Sequence, residues 1–152
     1  MEFPGATVAA VIAKRSSCVC AYSVAATASV ECAVSAMNAK HIGCILVKHG
    51  IEAVGVFTER DVLTRVICAH RDPQRTRVSE VMTRGIVSIS TQARVESALE
   101  LMVHHHLRHL PIRNEGKIVT VISAGDITGW LFRVHKYQAE NLLEYILTDY
   151  PQ

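Results

Sequence analysis

An α+β fold built from two βαββα repeats is predicted by three features of the sequence. The first is internal self-similarity, the mark of a repeat architecture. Val30, Val34, Met37 and His41 recur as Val95, Leu99, Met102 and His106, each 65 positions on. Ile45 and Val47 recur at the same offset as Leu110 and Ile112. The second is the change of hydrophobic period within each copy, from β-rich runs to a helical face and back. The third is a corner that occurs twice: Thr58 and Asp61 return as Ser123 and Asp126. Each copy is about 60 residues, a size at which a lone domain is marginal, so the copies are expected to pack as one module.

The elements follow in order. Val19 to Val24 is a short β-rich run. Val30, Ala33, Val34 and Met37 fall at i, i+3, i+4 and i+7, one apolar helix face, and Gly43 ends that helix. Cys44 to Val47 is a buried strand, His49-Gly50 a turn, and Ile51 to Phe57 the returning strand. A helix from Glu59 to Ala69 completes the first copy. The second copy repeats the plan over Ile86–Ile89, Val95–His106, His109–Arg113, Lys117–Ile122 and a helix from Ala124. Before the first helices, Val11-Ile12 corresponds to Val81-Met82 at an offset of 70, so the first copy carries about five extra residues within 14–23. The expected division is a first repeat over 7–69, a polar, Pro-containing linker over 70–77, a second repeat over 78–134 and a C-terminal helix over 135–152. Ala139, Leu142, Leu143, Ile146 and Leu147 give that last helix an apolar face. It either folds back on the module or meets another subunit.

Composition bounds the function. Half of the 152 residues are hydrophobic (49%) and 20% are charged, which argues against disorder. The net charge is only +2, from 16 basic and 14 acidic residues, unlike the basic surface of a nucleic-acid binder. No apolar run approaches the roughly 18 residues of a membrane span. Met1-Glu2-Phe3-Pro4-Gly5 lacks the basic start and apolar stretch of a signal peptide, so a cytoplasmic location is expected. The cysteines (Cys18, Cys20, Cys32, Cys44 and Cys68) are odd in number and sit among apolar residues, as free thiols in a reducing compartment do. Cys18-Val19-Cys20 has one intervening residue, not the two of a zinc or redox motif. His104-His105-His106 and His109 are placed on the helix surface and cleft edge, and no metal is predicted. No catalytic signature appears. Cys44 lies in an apolar strand, where a thiolate is disfavoured.

The repeated corner carries the chemistry. A hydroxyl ends an apolar strand, and an aspartate follows three residues later in the first turn of a helix. The plain reading is a capping box, although Asp is shorter than the preferred Glu or Gln and is expected to reach back less well. The alternative is a nucleoside site. A carboxylate can accept two hydrogen bonds from a ribose diol, and a hydroxyl beside free helix amides suits ribose or phosphate oxygens.

In order and spacing, Ala36-Met37-Asn38-Ala39-Lys40-His41-Ile42-Gly43, Gly55-Val56-Phe57-Thr58-Glu59-Arg60-Asp61, Val78-Ser79-Glu80-Val81-Met82-Thr83, His106-Leu107-Arg108-His109-Leu110-Pro111-Ile112 and Ile122-Ser123-Ala124-Gly125-Asp126 resemble a tandem cystathionine-β-synthase (CBS) domain pair. The likeness is to the small stand-alone CBS-pair proteins of bacteria and runs from about Thr7 to Phe132. It implies two sheets packed about a pseudo-twofold axis, with two clefts that bind adenosine-containing ligands such as AMP, ATP or NAD(H). It further implies that Asp61 and Asp126 hold ribose hydroxyls, and that Thr58 and Ser123 bind ribose or phosphate. Ile42, Gly43 and Cys44 would line one cleft, and Arg108, His109, Leu110 and Pro111 the other. Arg108 is the foremost phosphate candidate, since Arg pairs with phosphate bidentately, and Arg60 the second. Thr120 stands where the family usually has Gly, and Cys44 where it often has Ala. The resemblance implies a regulatory, non-catalytic homodimer that signals to a protein in trans. A ligand-free scaffold and a metal- or thiol-linked redox sensor are the alternatives.

Overall fold

The computed structural model describes residues 6–14 and 21–148, with side chains as far as Tyr137. The Cys18–Cys20 pair, part of the Val19–Val24 run and the apolar face of the last helix lie outside the described residues.

Each copy forms a three-stranded sheet. β1 (Ser23–Ala25) pairs in parallel with β2 (Cys44–His49), and β3 (Glu52–Thr58) returns antiparallel to β2. β4 (Ile89–Ser90), β5 (His109–Asn114) and β6 (Lys117–Ser123) repeat that plan. The repetition reaches fine detail. The hairpin register shifts between Val47 and Lys48 in one sheet and between Ile112 and Arg113 in the other. Gly50 and Gly116 turn the hairpins at φ of 61° and 79°, where a side chain would be strained.

α2 (Val30–Lys40) starts at Ser29, whose hydroxyl accepts from the Cys32 amide at 3.2 Å. Val30, Ala33 and Met37 are buried, while Val34 remains 37% exposed. α5 (Val95–His104) stops two residues earlier than its periodicity predicts. The reason is His106, which is left-handed at φ 53°, as His41 is at 52° after α2. Each left-handed histidine lets the following amide bond back, Ile42 to the Met37 carbonyl at 3.0 Å and Leu107 to the Met102 carbonyl at 2.8 Å. After β3 the chain enters α3 (Glu59–Asp61) and then widens into a π-helix over Val62–Ile67. There the Cys68 amide reaches the Leu63 carbonyl, and the Arg71 amide the Val66 carbonyl, both at 2.9 Å. π-helical turns often occur at functional sites.

Two short helices head the copies: α1 (Val8–Ala13) and α4 (Val78–Val81). They occupy equivalent places in the repeat, yet each packs with the other copy's elements. Val8, Val11 and Ile12 pack with Val95, Met102, Leu110 and Ile127 in the core of the second sheet. Val78, Val81 and Met82 pack with Val30, Met37, Ile45 and Phe57 in the core of the first. Matching backbone bonds anchor them, Val95 to the Ala6 carbonyl at 3.0 Å and Val30 to the Thr76 carbonyl at 2.9 Å. The sequence repeat and the packed cores are therefore out of phase, and each core is completed by the short helix of the other repeat. α6 (Ala124–Thr148) closes the second half, with Ile127 and Trp130 in its core.

Gly55 shows how closely α4 docks. A Cβ there would lie 2.5 Å from Met82 Sδ and 2.9 Å from the Thr83 carbonyl oxygen. The equivalent Thr120 is accommodated with 2% exposure, so the two halves are packed differently at this point. Gly55→Ala is expected to destabilise by about 1–3 kcal/mol through overpacking. Urea unfolding checks this, and an unchanged midpoint would contradict the fit.

Candidate functional site

Strand alternation sends Ile45, Val47 and Phe57 into the first core and turns Cys44, Val56 and Thr58 to the opposite face. On the second sheet His109 pairs with Ser123 in the same way that Cys44 pairs with Thr58. The halves come close here: a Cβ on Gly43 would sit 3.1 Å from His109 Cε1 and 3.1 Å from Glu59 Oε2. A cavity of about 230 Å³ lies at the junction. The first half contributes Gly43, Cys44, Thr58, Arg60, Asp61 and Arg65, among others, and Thr83 follows α4. The second half contributes His105, His106, Arg108 and His109.

Both corners close capping boxes. Asp61 Oδ2 accepts from the Thr58 amide at 2.9 Å and hydroxyl at 2.8 Å, and Thr58 Oγ1 accepts from the Asp61 amide at 3.3 Å. Asp126 Oδ2 accepts from the Ser123 amide at 2.7 Å and hydroxyl at 2.8 Å, and Ser123 Oγ accepts from the Asp126 amide at 3.1 Å. Asp is expected to reach back less well than Glu or Gln, but with the strand end extended its carboxylate reaches the N-cap amide in both corners. Asp61 is buried at 5% exposure. Its second oxygen is also engaged, accepting from Thr83 Oγ1 at 3.2 Å and lying 3.5 Å from Arg65 Nε.

The residues singled out from sequence are thus partly brought together. Thr58, Arg60, Asp61, Gly43 and Cys44 share one wall system with Arg108 and His109 from the other copy, so one cleft draws on both expected sets. Ile42 opens instead onto a neighbouring groove of about 650 Å³, lined also by Val34, Met37 and Leu63. Leu110 is fully buried in the second core and Pro111 is buried as well, and neither lines this cavity. Ser123 and Asp126 form the matching corner of the second half, away from this cavity's lining, although the Asp126 charge reaches His109. Thr83 and Arg65 are not among the site residues expected from the sequence. Their contacts depend on α4 docking against the first sheet, which no local pattern announces. The Arg60 guanidinium donates to the His106 carbonyl at 3.4 Å, another link between the halves.

Burial, aided by the Asp61 charge, pushes the Cys44 thiol up to about 12, so it stays protonated and is a poor nucleophile. Burial and then the Arg108 charge lower the His109 pKa, with Glu59 and Asp126 opposing in part. A histidine held neutral in the folded state contributes stability that is complete above about pH 6.5 and is lost as pH falls through that value. His109→Gln should therefore flatten the acid side of the stability profile. Equal pH slopes for the variant and wild type in urea unfolding would contradict this. Among the described residues no group of three or more His, Cys, Asp or Glu could hold a metal ion, and no helix is long and apolar enough to cross a membrane.

The CBS domain family matches residues 20–67 and 78–133. The chain belongs to the CBS domain family. The two matches make it a CBS pair, and the α+β fold of two packed repeats is the one expected. The mitochondrial CBS domain-containing protein CBSX3 of Arabidopsis thaliana is 28% identical over 123 residues, which is 78% of this chain and 60% of that protein. A solved CBS-domain protein from Burkholderia ambifaria superposes with a TM-score of 0.78 at 34% identity, covering 82% of this chain and 93% of its own. The CBS domain protein PAE2072 from Pyrobaculum aerophilum, solved in complex with AMP, shares the fold at a TM-score of 0.69 and 22% identity, covering 79% of this chain and 88% of its own.

Proposed function

We propose that this CBS pair is a regulatory module whose cleft binds an adenosine-containing ligand (AMP, ATP or NAD(H)) and reports energy or redox state to a partner protein in trans. The observation that carries the reading is the composition of the cleft. One cavity joins the Thr58–Asp61 corner of one half to Arg108 and His109 of the other. A ligand there would bridge the halves, which is how occupancy could change the module's shape. Asp61 would take the ribose hydroxyls, Thr58 ribose or phosphate, and Arg108 the phosphate, with Arg60 second. The AMP complex of PAE2072 supports the class of ligand. By the repeat, Ser123 and Asp126 would serve a second cleft beside Ile42 and Gly43.

A homodimer is part of the proposal. Leu63 and Ile67, exposed at 60% and 55% on the helix after β3, and Val34 on α2 offer an apolar face, and sedimentation analysis checks it. Titration calorimetry with AMP, ATP, S-adenosylmethionine and NADH tests the function. Heat from at least one is expected, and silence from all at millimolar ligand overturns the reading. The rival reading, a ligand-free scaffold, is favoured by one observation: both Asp61 oxygens already have partners.

A further inference from the structure

We propose that Thr83 and Arg65 set the affinity of this cleft by closing a latch on Asp61 that a ribose diol must displace. The inference rests on the nucleotide reading above. A carboxylate has about four acceptor positions. Thr58 takes one oxygen of Asp61 with its amide and hydroxyl, and Thr83 Oγ1 and Arg65 Nε stand on the other. A diol therefore has to replace existing donors. The cavity agrees, because about 230 Å³ falls below the roughly 300–1,000 Å³ usual for ligand pockets.

The latch is tied to the rest of the fold at several points. The Thr83 amide donates to the Val56 carbonyl at 2.8 Å, and the Val56 amide to the Thr83 carbonyl at 3.0 Å. Arg65 Nη1 donates to the Met82 carbonyl at 2.7 Å and the Val81 carbonyl at 3.1 Å. Displacing Thr83 and Arg65 from Asp61 loosens the 81–83 segment, whose Val81 and Met82 fill the first core. Ligand entry is thereby coupled to the crossing between the two halves. At the equivalent positions the repeat has Ala13 for Thr83 and Trp130 for Arg65.

Thr83→Val and Thr83→Ser, each titrated with AMP and with ATP in the calorimeter, test the latch. Thr83→Val removes a competing donor and should bind about three- to tenfold tighter than wild type, while Thr83→Ser should match wild type. In the wild-type protein AMP should speed hydrogen exchange at the Thr83 amide, a readout that survives even if Thr83→Val fails to fold. Equal or weaker binding by Thr83→Val, or slower exchange at Thr83 with AMP, overturns the latch while leaving the nucleotide reading standing. Absence of binding of AMP, ATP, S-adenosylmethionine and NADH alike to the wild type and both variants overturns the two together.

Discussion

Asp61→Ala is expected to abolish nucleotide binding at the junction cleft and to lower stability by about 2–4 kcal/mol. The size of the stability loss follows from what the carboxylate holds. It satisfies the Thr58 amide at the head of a helix, the Thr58 and Thr83 hydroxyls, and the flank of the Arg65 guanidinium. Removing a buried acceptor leaves partly buried donors without their partner, a larger cost than the net worth of the bonds. Asp126→Ala is the internal comparison. Its side chain is only partly buried and forms the same box with Ser123. It should leave binding at the junction cleft intact. Urea unfolding and calorimetry on the two variants measure both quantities. Wild-type nucleotide affinity in a folded Asp61→Ala protein would remove Asp61 from the ribose role.

Much of the fold is legible because the repeat writes it twice. A single Thr-x-x-Asp is ambiguous between cap and ligand site, and its recurrence at one point of a βαββα plan raised it to a family resemblance. The left-handed histidines belong to the same category: His41 and His106 share a repeat position, and both have positive φ. What sequence could not supply is the pairing of segments across the repeat. Val11 and Val81 are plainly equivalent as letters, yet nothing local says that the first serves the second core and the second the first. Thr83 became part of the candidate site only through that exchange, since α4 carries it to Asp61. Leu110 sits apart from the junction cavity for a simpler reason. Period-two alternation puts it on the core side of β5, while His109, one residue earlier, faces the cleft.

Arg108→Ala should separate binding from folding. The Arg108 carbonyl accepts from the Ala124 amide at 2.9 Å, which fixes the backbone at the mouth of the cleft whatever side chain it bears. The guanidinium itself is exposed and makes no hydrogen bond or ion pair among the described residues. Its removal should change stability by no more than about 0.5 kcal/mol, the usual range for a surface substitution. The effect on ligand should be much larger. A charge-assisted contact from Arg to phosphate is roughly twice as strong as a neutral hydrogen bond, so AMP and ATP should bind about 10- to 100-fold more weakly. Adenosine, which has no phosphate, should bind wild type and variant alike. The wild-type preference for AMP over adenosine should also shrink as salt is raised, because the contact lies at an exposed edge where counterions screen it. If adenosine loses as much affinity as AMP, Arg108 is shaping the cleft and not holding a phosphate. If neither loses any, the phosphate falls to Arg60, whose guanidinium already spans to the His106 carbonyl on the far wall.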